Sequence, residues 1–191
     1  MKTFGLKEII MLLMIWSAFA GCSATGSAVN TNGSFAGYDA LRADIDPLIG
    51  DLMLNCKELD RIAKDVRSVA EGYFYGPDDQ LNYIQKSQIH IGKAKQTACH
   101  QWDVLAMIDY INPDQRQVYY TYRVRNLKAA LFENMYDLMS LNTYLPYIEN
   151  ENAVVDIQSA AEIIRENNNI FEKITRLLEP LSNPSSPAQK I

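Results

Sequence analysis

Residues 41–69 read LRADIDPLIGDLMLNCKELDRIAKDVRSV. Leu41, Ile45, Leu48, Leu52, Leu59, Ile62, Val66 and Val69 follow one another at helical spacing, and Asn55 interrupts the series. A helix turns once in 3.6 residues, so this spacing gathers the apolar side chains on one face. A half-buried strand would alternate with a period of two, and this stretch does not. The reading is a long amphipathic helix with one face to bury. Asp46-Pro47 predicts that the main helix starts there, with Asp46 as N-cap and Pro47 in the first turn.

The rhythm returns three times. Residues 78–111 carry Leu81, Ile84, Ile91, Ala98, Trp102 and Leu105, and Asn112-Pro113 then restarts the chain with Asn112 as cap. Tyr120, Val124, Leu127, Leu131, Leu138, Leu141 and Leu145 form the third seam, which Pro146 ends. After a polar corner at Glu149-Asn150-Glu151-Asn152, a fourth runs from about Ala153 to Glu179 through Val154, Ile157, Ala161, Ile164, Phe171, Ile174 and Leu178. No alternating apolar run lies between hairpin turns. Four long amphipathic segments with short connections predict an all-α fold, an antiparallel up-down-up-down four-helix bundle.

The cysteines fit that topology. With Gly76-Pro77 as the first turn, Cys56 and Cys99 each stand about 20 residues from it, so they share a height on adjacent helices, as a disulfide requires. The expectation is a Cys56–Cys99 bridge in an oxidising compartment; two buried free thiols are the other reading.

Outward from the helices lies the leader. Met1 to Glu8 is short and charged, and Ile9 to Ala20 is unbroken apolar or small. A membrane span needs roughly 20 such residues, whereas the core of a secretory signal runs about 7–15. The run ends in Phe19-Ala20-Gly21-Cys22, which resembles the lipobox of bacterial lipoproteins. The resemblance implies that residues 1–21 are a cleaved signal peptide and that Cys22 is lipidated, with palmitate among the acyl groups. The membrane partner is then reached through that lipid. Ser23 resembles the pattern of lipoproteins sorted to an outer membrane, which implies an anchor in the cell envelope facing the periplasm or the cell surface rather than an inner membrane. An ordinary signal peptide ending near Ala18 or Ala20 is the alternative.

Residues 22–37 read as a flexible Gly/Ser/Asn tether with a reach of roughly 20 Å. Residues 38–181 are the bundle, about 144 residues, enough for one real core. Residues 182–191 are a disordered Pro/Ser tail.

The whole chain carries −5; Lys2, Lys7 and Glu8 take a net +1 away with the leader, leaving −6. A nucleic-acid binder would be basic, so no nucleic-acid partner is expected. Cys99-His100 lacks the cysteine that haem attachment needs three positions earlier, where Gln96 stands. There is no HExxH, no paired Glu-x-x-His, no phosphate loop and no Gly-x-Ser-x-Gly elbow. His90 and His100 fall off the seam and read as solvated, and the acids read as solvated helix faces. No cofactor, no metal and no enzymatic activity are expected.

Three sets of residues offer binding. Asn55, Asn134 and Asn168 fall on apolar seams, either as register devices or as the lining of a ligand pocket near Asn134 and Asn168. Tyr73, Phe74, Tyr75, Tyr144 and Tyr147, with Tyr83 near them, gather at the bundle end opposite the tether and suit a protein interface; closing the core is their other use. Arg116, Tyr119, Tyr120, Tyr122, Arg123, Arg125 and Lys128 form a basic-aromatic face, for anionic headgroups or for acids on neighbouring helices. The leading expectation is a non-enzymatic lipoprotein that presents its bundle to an envelope protein as scaffold, assembly accessory or adaptor. The alternative is a small-molecule-binding bundle, a sensor or carrier.

Overall fold

Each apolar seam forms a helix. α1 runs Asn32–Glu71, α2 Asp78–Ala106, α3 Arg116–Tyr144 and α4 Glu151–Ser182. The structure, a computed structural model, describes residues 32–72 and 78–182, with side chains from Tyr38 in α1 and from Asp79 in α2. The leader, Cys22, Tyr73, Phe74, Tyr75 and residues 183–191 lie outside the described residues. Among the described residues there is no strand, and single 3₁₀ turns at Met107–Tyr110, Pro113–Gln115 and Leu145–Tyr147 occupy the connections.

The helix borders follow the punctuation, with one correction. The Asn112 side chain accepts the Asp114 N–H at 3.2 Å, and Asn150 Oδ1 accepts the Ala153 N–H at 3.0 Å, each satisfying a donor at a helical start. Pro146 stands in the 3₁₀ turn that ends α3. Pro47, however, does not begin a helix; it lies inside α1. A proline there forfeits one hydrogen bond, at a cost of about 3 kcal/mol. Pro47 is exposed, so water can serve the carbonyl it frees, while Leu41 and Ile45 before it are buried. Burial of that preceding turn carries the helix through. α1 also takes in the backbone of Asn32 to Gly37, the end of the stretch read as tether.

The core has two apolar clusters, each fed by all four helices. One holds Leu59, Ile62, Ile84, Ile91, Leu141, Ile157 and Ile164. The other holds Ile45, Leu52, Leu105, Leu127, Phe171, Ile174 and Leu178. Along every helix an amide stands between the two sets: Asn55, Gln101, Asn134 and Asn167. Asn55 Nδ2 donates to Asn167 Oδ1 at 2.9 Å across α1 and α4.

Contacts between helices occur in a regular order. Cys56 and Cys99 join α1 to α2 in a disulfide with their Cα atoms 5.1 Å apart, and Asp60 one turn on meets Lys95 one turn back. Between α2 and α3, Tyr119 donates to the Val104 carbonyl at 2.6 Å, Asp137 meets His90 at 2.7 Å, and Tyr83 approaches Tyr144 with ring centres 5.7 Å apart. Between α3 and α4, Thr121 donates to the Ser182 carbonyl at 3.2 Å and Lys128 meets Glu179 at 2.6 Å. In each pair of helices the numbers fall on one as they rise on the other. A clamp ties α1 to the α2–α3 connection: Tyr38 donates to Asp109 Oδ1 at 2.6 Å, Arg42 reaches Asp109 at 3.0 Å, and the Arg116 guanidinium lies 4.0 Å from the Tyr38 ring centre.

Two outcomes follow from these contacts. The bridge spans 43 residues of sequence; closing such a loop removes unfolded-state entropy worth about 4 kcal/mol in the chain-entropy model. Reduction should therefore shift the urea midpoint sharply downward, and Cys56→Ser with Cys99→Ser should match the reduced wild type. The Tyr38 phenol is pushed up to about 12, first by burial and then by its bond to Asp109. A pKa raised above the unfolded value of about 10 favours the neutral form. Its stabilisation holds below pH ~10 and is lost as the pH rises toward ~12. The difference between alkaline absorbance titrations of wild type and Tyr38→Phe should show a midpoint near 12, and a midpoint near 10 would mean that the clamp is absent in solution.

Candidate functional site

α3 is apolar on two opposite faces. Leu127, Val124, Asn134 and Leu141 turn inward and are buried. Diametrically opposite lie Val118, Tyr122, Arg125, Ala129, Phe132, Tyr136, Met139 and Thr143, all exposed and alternately four and three residues apart. Of the large apolar side chains left exposed among the described residues, α3 carries six and the other three helices together four. Val118 is 73 % exposed, Phe132 76 % and Met139 67 %. Scattered exposed apolar residues are ordinary, but a contiguous apolar stripe marks an interaction surface.

Beside the stripe a groove of about 570 Å³ opens between α2 and α3, lined by Lys93, His100, Gln101, Phe132, Tyr136 and Asp137 among others. Next to it, His90 Nδ1 and Asp137 Oδ1 form a buried pair. The imidazole also lies 5.7 Å from the Tyr136 ring and 5.8 Å from that of Tyr144. The expectation of a solvated His90 is corrected here, as is that of solvated acids for Asp137. α2 faces α1, α3 and α4 at once, so its inward arc is wider than its apolar seam. Gln80, Ser87 and Gln101, also buried, lie on that arc. Their spacing in sevens, with Ala94 completing the series, is the signal that could have revealed it. His100 is exposed, as expected.

The amides divide in a similar way. Asn134 is fully buried, and neither of its side-chain atoms has a hydrogen-bond partner among the described residues. Asn55 is half-buried on Asn167. The inward amide of α4 is Asn167, while Asn168, the residue read on the seam, is only half-buried. A shift of one position turns a side chain by about 100° and exchanges the two.

The tyrosine-rich end is present in part. Tyr147 stacks on Tyr83 with ring centres 4.8 Å apart, Tyr144 joins them, and Lys86 Nζ lies 5.5 Å from the Tyr83 ring. Tyr73, Phe74 and Tyr75 lie outside the described residues. The basic-aromatic face does not act as one patch. Arg123 is buried beside Tyr119 and Tyr122, with ring centres at 5.4 and 4.7 Å. Arg116 lies on Tyr38 and Lys128 on Glu179, while Tyr120 is in the core, where burial raises its phenol. Arg125 stays exposed on the stripe.

Among the described residues, no three His, Cys, Asp or Glu side chains gather as metal ligands would, and no helix is long and apolar enough to cross a membrane. No protein-family model, curated protein or solved structure matches this chain. Removing one member of a buried hydrogen-bonded pair strands the other, at about 1–3 kcal/mol. Asp137→Ala should lower the urea-unfolding free energy at neutral pH by that amount, and Asp137→Asn by less. Equal stability for both variants and wild type would place the pair in water.

Proposed function

We propose that this chain is a lipid-anchored envelope protein that works by binding protein, and that the outward stripe of α3 is its docking face. The observation that carries the reading is the stripe itself: aromatic and thioether side chains lie exposed on one helix in a regular series. Aromatic residues and Met are the types enriched in interface cores. The anchor is Cys22, on the strength of the Phe19-Ala20-Gly21-Cys22 resemblance, and the outer membrane is the destination that Ser23 suggests. The helices are read as an antiparallel up-down-up-down bundle, a reading supported by the falling order of paired residues from Cys56–Cys99 to Thr121–Ser182. Tyr83, Tyr144 and Tyr147 offer a second, smaller aromatic surface.

A small-molecule role is the second reading. What favours it is the α2–α3 groove, which Gln101 and His100 help to line and whose volume is in the range of ligand pockets.

Both parts of the first reading can be tested in intact cells. Cys22→Ala should accumulate a larger precursor that takes up no acyl label, and normal processing of that variant would remove the anchor. A photo-activatable residue at Phe132 in the full chain should give discrete protein cross-links. Met139→Lys should deplete them without changing helicity or melting. If Phe132 captures no protein while a soluble ligand protects His100 from modification, the groove takes precedence.

A further inference from the structure

We infer that the partner of the α3 face is a second copy of this chain, docked antiparallel through α3; the inference rests on the interaction role proposed for that face. Tyr122, Ala129, Tyr136 and Thr143 repeat every seven residues, and so do Val118, Arg125, Phe132 and Met139, offset by three. This is the alternation of a and d positions in a coiled coil, carried through four repeats on a face that no other helix among the described residues covers. Antiparallel helices meet with each a position opposite a d position. A single register satisfies all of them. It sets Tyr122 against Met139 of the second copy, Arg125 against its Tyr136, Ala129 against its Phe132, and Val118 against its Thr143.

The chemistry of the three inner layers is complementary. The largest apolar ring faces the smallest side chain, so the centre fills without a void. A guanidinium faces a tyrosine ring, and a thioether faces another. Glu133 of the second copy stands one turn from the Tyr136 that Arg125 meets. Arg125 and Glu133 are both exposed and neither is in an ion pair among the described residues. Antiparallel pairing supplies both with opposite charges, twice over by symmetry. Parallel pairing would instead stack Arg125 on Arg125, unlike anything else the face provides, and set Ala129 against Ala129. Five large apolar side chains on the stripe, with Arg125 between them and Met135 at its flank, are of the order of the ~800 Å² per partner that a stable interface buries. The same symmetry closes the assembly at two, leaving no stripe exposed to propagate a filament.

The test uses two differently tagged copies of the full chain in the same cells, one with Tyr122→Cys and the other with Met139→Cys. In the inferred register these positions face each other, whereas two Tyr122 positions stand about 25 Å apart along the axis. Mild oxidation should join the two tags and leave each single variant, expressed alone, uncoupled. Arg125→Glu should reduce the coupled fraction several-fold, and Arg125→Glu with Glu133→Arg should recover it. Unchanged melting of each variant shows that the bundle itself is intact. Coupling of Tyr122→Cys to itself would overturn the antiparallel register. Absence of any coupling, with Phe132 photo-cross-linking a polypeptide other than this chain, would overturn self-association while the docking role stands. If Phe132 cross-links nothing at all, the docking role falls first.

Discussion

The Asn55–Asn167 hydrogen bond fixes the heights of α1 and α4 within a layer of four amides, Asn55, Gln101, Asn134 and Asn167. Each helix places one of them between its two sets of core residues. Apolar contacts are tolerant: sliding a helix by one turn exchanges one Leu or Ile for another at little cost. An amide is not tolerant, because facing it with a hydrocarbon wall costs about 1–3 kcal/mol for each group left without a polar neighbour. Slipping α1 or α4 would therefore break the layer at once, where Asn55 and Asn167 are joined. The Asn55–Asn167 hydrogen bond is its visible link, and the Cys56–Cys99 bridge beside Asn55 holds the same height covalently.

With heights set there, the remaining polar contacts between helices become possible. Asp60 reaches Lys95 because Cys56 is level with Cys99, and His90 finds Asp137 inside the fold instead of solvent. Desolvating an imidazole and a carboxylate separately would be costly, and their mutual hydrogen bond is what makes the burial tolerable. The same alignment turns the second apolar face of α3 outward. A helix buried on one side is stable without that second face, so the fold does not require Phe132, Tyr136 or Met139 to be apolar. Among the described residues nothing covers them, and an exposed apolar stripe of this kind suits a docking partner.

Much of the architecture was legible because helical periodicity is a strong signal over long segments. The seams of all four helices, the Asn112 cap, the Pro146 stop and the Cys56–Cys99 pairing were each readable from spacing. Pro47 misled because local rules price its lost hydrogen bond and cannot see the burial of Leu41 and Ile45 that outweighs it. His90 and Asp137 misled for a related reason: an ionisable residue beside a seam is normally solvated, and its partner lies 47 residues away. Asn168 was mistaken for Asn167 because adjacent amides differ by one rotation that only the packed helix reveals.

By itself the sequence determined four amphipathic helices, their punctuation and the presence of polar residues on their seams, because these depend on interactions within a few turns of chain. Its leader resembles that of a lipoprotein, a property read from residues 1–22 alone. Tertiary structure decided which side of α3 would be core and which would be left bare, since α3 carries apolar residues on both and its own periodicity does not choose between them. It also decided that Asp137 would face His90, and that Arg123 would be buried while Arg125 stayed free on the outer stripe. The reason is geometric: a helix's own residues set the angles between its side chains, but only the helices packed against it set which of those angles point inward.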